Sequence, residues 1–212
     1  MRHPIPVRTR VLVPAIAALA AAGTLTGCLS TEPKPDHALP APTSPTAATE
    51  AAAGSLGAPG SACALPVSFG LAADWKPQAV KAGDDEVFAA LGKQGPATMV
   101  CEVDAKPAGN IGYLRVWTAG DSPARTALEG FVKAAEGTSK VTYKETRAGA
   151  LPAVEVTYTV YNKLMEESKE ERAFAVAAPK GTVIVHLGGL DSQEHREMLP
   201  ALELARTTLK PL

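Results

Sequence analysis

Val154-Glu155-Val156-Thr157-Tyr158-Thr159-Val160-Tyr161 is the stretch whose reading decides the fold. Val154, Val156, Tyr158 and Val160 alternate with Glu155, Thr157, Thr159 and Tyr161, and residues two apart share one face of a strand. The alternation predicts a half-buried strand in a sheet with one face turned to water. Downstream, Phe174 and Val176, then Val183 to Leu187, predict two more strands around a turn at Pro179-Lys180-Gly181. Upstream, Val141–Arg147, Thr98–Asp104, Tyr113–Thr118 and Val67–Phe69 complete the set, with Ala108-Gly109-Asn110 as the turn between the second and third of these. Strands joined by short turns read as antiparallel meanders, so the predicted class is α+β, a mostly antiparallel sheet of about six to seven strands with helices packed on it.

Two helices follow from a different period. Ala124, Leu128, Phe131, Val132 and Ala135 form one apolar stripe, and Arg125, Glu129 and Lys133 line the opposite face. Ser122 is the expected N-cap with Pro123 at the first helical position, and Gly137 stands where a left-handed C-cap belongs. The second helix is expected from Ser192 to Lys210, with Met198, Leu202, Ala205 and Leu209 inward and Glu203, Arg206 and Lys210 in water. Asp191 and Glu194 have the spacing of a capping box. Pro200 removes a backbone donor in mid-pattern, which predicts a kink or a fresh start. A third, short helix is expected from Asp85 to Leu91, ended by Gly92.

The N-terminal part has another character. Arg2, Arg8 and Arg10 precede Val11 to Gly27, a run without charge, and the run closes on Leu25-Thr26-Gly27-Cys28. A charged start, a short apolar core and small residues at its end describe a secretory signal peptide over 1–27. The run is shorter than the roughly 20 apolar residues that span a bilayer, so a retained transmembrane helix fits less well. Leu25, Thr26, Gly27 and Cys28 resemble a bacterial lipobox. That resemblance implies diacylglycerol transfer to the Cys28 thiol and cleavage before it; a plain secretory signal, cut without lipidation, is the alternative. Two or three acyl chains anchor stably, since each buried methylene contributes roughly 0.8 kcal/mol and one chain is marginal.

Residues 28–60 hold Pro33, Pro35, Pro40, Pro42, Pro45 and Pro59 among Ala, Thr, Ser and Gly, and the first aromatic residue of the chain is Phe69. Such a segment buries too little apolar area to offset its ordering entropy, and is expected to be a disordered tether reaching roughly 30 Å from the lipid on average. Residues 61–212 are then a single globular α/β domain. Without residues 1–27 the chain carries 18 basic and 22 acidic side chains. This acidic balance argues against nucleic acid, which needs concentrated Lys and Arg, and against polybasic attachment to anionic lipid.

The order of elements resembles the PsbP-like α/β/α sandwich of LpqN-type lipoproteins of actinobacteria. The resemblance rests on V-S-F-G-L-A-A-D-W-K (67–76), the strand-rich middle and A-L-E-L-A-R-T-T-L-K (201–210). Where that family has Pro-x-Gly-Trp, this chain has Ala72-Ala73-Asp74-Trp75. The resemblance implies a binding or accessory role at the membrane surface and supplies no catalytic residues.

Candidate chemistry is sparse. His186 and His195 are the folded part's histidines, with Asp191 and Glu194 between them. They lack H-x-x-x-H spacing, so His186 reads as a strand residue and His195 as a solvated residue of the first helical turn, and no metal is expected. No G-x-S-x-G, S-x-x-K, P-loop or G-x-G-x-x-G is present, and Gly54-Ser55-Leu56-Gly57 lies in the expected tether, where no pocket can preorganise a serine. Glu166-Glu167-Ser168-Lys169-Glu170-Glu171-Arg172 reads as a solvated hairpin tip, or else a docking patch. Gly188-Gly189 reads as a strand-to-helix turn, or else backbone amides for an anion; Trp75 and Trp117 read as packing. Cys63 and Cys101 remain once Cys28 is used, and oxidising surroundings predict a bridge between them, with two free thiols the alternative. The expectation is a lipid-anchored module facing outside the cytoplasm that binds an envelope protein or a small ligand, with no catalytic residues and no cofactor. An enzyme acting on cell-wall or lipid material is the second reading.

Overall fold

The computed structural model describes residues 51–81, 90, 92–163 and 165–212. The signal segment 1–27, Cys28 and most of the expected tether lie outside the described residues, as does the expected helix Asp85–Leu91 but for Ala90. The strands are β1 (Gly54–Leu56), β2 (Val67–Leu71), β3 (Lys76–Ala79), β4 (Lys93–Gln94), β5 (Ala97–Asp104), β6 (Gly112–Thr118), β7 (Thr138–Ala148), β8 (Leu151–Asn162), β9 (Glu167–Ala178), β10 (Gly181–Gly189) and β11 (Lys210–Pro211). The helices are α1 (Ala124–Ala134) and α2 (Ser192–Thr208), with a 3-10 turn at Lys106–Ala108.

The main sheet is antiparallel, in the order β3-β5-β6-β10-β9-β8-β7, with β4 paired to β5 as an eighth strand. The chain leaves β6, crosses one face as α1, enters the far edge at β7 and returns by hairpins to β10 beside β6. After β10 it crosses the other face as α2. The two helices thus cover opposite faces. On one, Leu128, Phe131 and Val132 pack on Trp117, Val154, Val156, Ala173, Ala175 and Ile184. On the other, Met198, Leu202 and Ala205 pack on Phe174, Val176, Val183, Val185 and Leu187, together with β2. The core of β8 is therefore buried from both sides, Glu155 included, and not only on the valine face as its alternation predicts.

The structure corrects several boundaries. Val67–Phe69 does not join the main sheet: β2 pairs with β1 and β11 in a separate three-stranded sheet. The short β3 and β4 take up the places in the main sheet. Pro77 is tolerated in β3 because that strand is an edge. The tether expected to reach residue 60 gives way earlier, since β1 pairs with β2 and Leu56 is 1 % exposed in the core. Leu56 stands opposite Phe69 in the register and belongs to the core cluster, in spite of the disorder-prone composition around it. Pro123, not Ser122, is the N-cap of α1, with no side-chain capping bond, and Ala135 is its C-cap; Gly137 is left-handed (φ 69°) two residues further on. α2 runs through Pro200 as one helix. Its N-cap is half the expected box: Asp191 Oδ1 accepts from Gln193 N and Glu194 N at 2.8 and 2.9 Å, while Glu194 Oε1 accepts from Ile111 N, not from the cap's own backbone. Gly149 at the β7–β8 turn is required: φ is 54°, and a Cβ there would meet Leu209 O at 1.9 Å.

The disulfide joins Cys63 to Cys101, Cα to Cα 5.9 Å, and ties the segment before β2 to β5. Both tryptophans are buried; Trp117 meets Phe131 edge to face at 5.2 Å.

Candidate functional site

The acidic–basic run at 166–172 is not simply a solvated tip. Glu166 lies in the turn, with φ 51°, but β9 begins at Glu167, and strand alternation then sends Lys169 and Glu171 to the α1 face and Glu170 and Arg172 to the α2 face. Each pair borders a cleft. The register sets their neighbours: Glu171 opposes Tyr158 and Arg172 opposes Thr157, while His186 opposes Ala173 on one side and Arg115 on the other.

On the α1 face, the helix is roughly 16 Å long against roughly 40 Å for the twelve-residue strands beneath it. The part of the sheet that it leaves bare carries a polar cluster. Glu171 is 5 % exposed; its Oε2 lies 2.7 Å from His186 Nε2 and its Oε1 2.8 Å from Lys169 Nζ. A carboxylate only accepts, so Nε2 carries the proton, and Tyr158 Oη lies 3.2 Å from the same nitrogen. Among the described residues His186 Nδ1 is buried with no partner. Burial acts upward on the Glu171 carboxyl, but the His186 charge and hydrogen bond, followed by Lys169, outweigh it and hold it below its ordinary value of 4.5. Burial first, then the Glu171 charge, pushes the Tyr158 phenol far above its usual range. Beside this cluster Arg115 Nε donates to Glu102 Oε2 at 2.7 Å, and its guanidinium lies over the Tyr113 ring at 4.9 Å. Tyr113, Arg115, Lys169, Glu171, His186 and Gly188 line a cleft of about 240 Å³, rimmed by the exposed Ile111 and Leu190. Gly188 keeps it open: a Cβ there would stand 3.3 Å from Glu171 Oε2.

On the α2 face, a second cleft of about 330 Å³ lies between the first turns of α2 and the β7–β8 edge. It is lined by Lys140, Thr157, Thr159, Arg172, His195 and Arg196. Arg172 Nη2 donates to Glu155 Oε1 at 2.7 Å, and Arg196 Nη1 to Glu170 Oε2 at 3.3 Å. His195, expected in water, is 2 % exposed. Its spacing to Met198, Leu202 and Ala205 places it on the inward stripe of α2, a signal that its polar neighbours Gln193, Glu194 and Arg196 mask. Burial lowers its pKa from 6.5, against the pull of Glu171 and Glu170 and with the help of His186 and Arg172.

The two histidines therefore occupy opposite faces, and Asp191 is spent on capping. Among the described residues no group of three or more His, Cys, Asp or Glu side chains is placed to hold a metal. Gly188 and Gly189 end β10 as paired strand residues, opposite Tyr113 and Gly112, not as a separate turn. Leu25, Thr26, Gly27 and Cys28 lie outside the described residues. No described helix is long and apolar enough to cross a membrane. Sequence reasoning missed Lys140, Arg115 and Thr157. Arg115 and Thr157 are the polar alternates of strands, and the register alone reveals what they face.

Residues 33–209 match the model of a family described as "uncharacterised lipoprotein". No curated protein and no solved structure matches the chain.

Proposed function

The chain belongs to this family of uncharacterised lipoproteins, and from that premise we propose that it is anchored through lipid on Cys28, faces outside the cytoplasm, and acts as a non-catalytic binding or accessory module. Its ligand or partner meets the two clefts that flank β9. The LpqN-type resemblance of residues 67–76 and 201–210 belongs to this reading and points the same way.

The observation that carries the non-catalytic part is the state of His186. A general base needs a nitrogen within reach of the proton it takes. Here Nε2 is held by Glu171 and Tyr158, and Nδ1 is buried. The Glu171–His186 pair is the feature that favours the other reading, an enzyme acting on cell-wall or lipid material. Its two nitrogens are turned inward, which suits a structural clamp on three strands better than an acid–base couple.

Complementation of a deletion strain with the full chain tests both parts. Cys28→Ala is expected to abolish fatty-acid labelling and to impair function. His186→Gln, whose amide N–H replaces the donor to Glu171, is expected to retain function. Equal labelling of wild type and Cys28→Ala overturns the anchor. Loss of function in a folded His186→Gln chain overturns the non-catalytic reading.

A further inference from the structure

We propose that the α2-face cleft binds a phosphoryl group, with Lys140 as the side chain that selects it. The proposal rests on the binding-module reading and deepens it by naming the ligand class.

Lys140 is the unusual residue. The β7–β8 register slips between Ser139 and Thr142, and Lys140, inside this bulge, has φ 51°. A lysine in the left-handed region is disfavoured by its Cβ, and such residues cluster where the backbone must aim a side chain at a site. Bulges re-aim side chains in the same way. Among the described residues nothing engages its ammonium, although it lines the cleft.

Further donors come from three other elements. Thr157 and Thr159 present hydroxyls from β8, opposite Thr142 and Ser139, and no described residue bonds to either. Arg172 comes from β9, and His195 and Arg196 from α2. Two buried nitrogens without a hydrogen-bond partner among the described residues, Arg172 Nε and His195 Nδ1, belong to residues that line this cleft, and such orphans call for an explanation. Glu170 and Glu171 are among the lining residues as well, but Glu171 is held by His186 and Lys169, Arg196 pairs with Glu170 and Arg172 with Glu155, so the charge left over in the described lining is the Lys140 ammonium.

Donors that converge from β7, β8, β9 and α2 surround an anion from several directions. That arrangement suits a tetrahedral group with several acceptor oxygens, whereas a planar carboxylate is met best by one fork-shaped partner. A volume of about 330 Å³ is roughly ten times the share of one liquid water. It leaves room for an ester substituent against Leu199, which also lines the cleft.

The test is calorimetric titration of the full-length chain in uncharged detergent micelles with inorganic phosphate, phenyl phosphate, benzoate and micelles doped with phosphatidic acid. Inorganic phosphate and phenyl phosphate are expected to bind and benzoate to bind at least tenfold more weakly. Lys140→Gly is expected to weaken phosphate binding about tenfold or more while its melting temperature holds or rises, because glycine accepts the left-handed backbone. Lys140→Arg is expected to keep most of the affinity. Tighter binding of phosphatidic acid than of phenyl phosphate identifies a lipid headgroup as the source, and the reverse identifies a free phosphate ester. Unchanged binding by Lys140→Gly, equal binding of benzoate, or no binding of any probe overturns the proposal. If no probe binds but Cys28→Ala still impairs function, the ligand class falls and the anchored module stands.

Discussion

Glu171 and Arg172 are neighbours on β9 that work on opposite sides of the sheet. Glu171 Oε2 accepts a hydrogen bond from His186 Nε2 at 2.7 Å on the α1 face. Arg172 Nη2 donates to Glu155 Oε1 at 2.7 Å on the α2 face. One dipeptide thus ties β9 to β10 on one side and to β8 on the other, and the clefts on the two faces share its backbone as their common wall.

Glu171→Gln should cost about 3 kcal/mol at pH 7, in the range for breaking a buried ion pair while its partners stay in place. The pH dependence has a definite sign. The folded-state pKa lies below 4.5, so in the window beneath that value the unfolded chain binds more protons, and stability falls as pH falls. Urea midpoints from pH 3 to 7 should show that acid-side loss in wild type and a flatter profile in the variant. Parallel profiles would mean that Glu171 is not the group responsible.

His195 sets a second window at higher pH. Its pKa is lowered from 6.5 by burial, so the neutral ring is the folded form. Stability is complete above 6.5 and declines as pH falls from there toward the folded-state pKa. Glu171, Glu170, His186 and Arg172 are the charged groups around it. His195→Gln should abolish the slope that begins below pH 6.5 and leave the Glu171 window below 4.5 in place. A variant that keeps the upper slope would refute the assignment.

Leu56→Ala should destabilise by about 2–5 kcal/mol, the cost of emptying a core leucine site, because Leu56 is 1 % exposed in β1. The measurement is a denaturant midpoint at fixed slope. A change below about 0.5 kcal/mol would return residues 54–56 to the tether.

Reduction of the Cys63–Cys101 bridge, or its double replacement by alanine, removes a closure of two cysteines 38 residues apart. Chain entropy puts the loss at about 4 kcal/mol as an upper value. Denaturation with and without reductant measures it, and mass analysis of alkylated, unreduced protein checks the pairing. Alkylation at both Cys63 and Cys101 would exclude the bridge.

The long strands were legible because period-two alternation over eight or more residues has few other meanings, as in 154–161. The two helices were legible from their apolar stripes. The short β1, β3 and β4 were not: Gly54-Ser55-Leu56 and Lys76-Pro77-Gln78-Ala79 are too brief and too polar for pattern to register, and are made strands by the partner beside them. Of the candidate site, the sequence showed the run 166–172 but not its division between two faces, which depends on where β9 begins. It showed His195 but not its burial, and nothing in Ser139-Lys140-Val141 announces a bulge. Register and bulges arise from pairing between segments far apart in sequence, and one segment's pattern does not contain them.

The position of the bridge also has a mechanical consequence. A chain held at its N-terminal end and pulled through the domain takes up load first at β1, whose hydrogen bonds to β2 can unzip one after another. Cys63 stops that peeling. Tension that reaches it passes covalently to Cys101 in β5, which is paired with β3 on one side and β6 on the other. From that point the force is spread across an interior strand of the main sheet, so a tug on the leash strips a dozen residues and leaves both clefts standing.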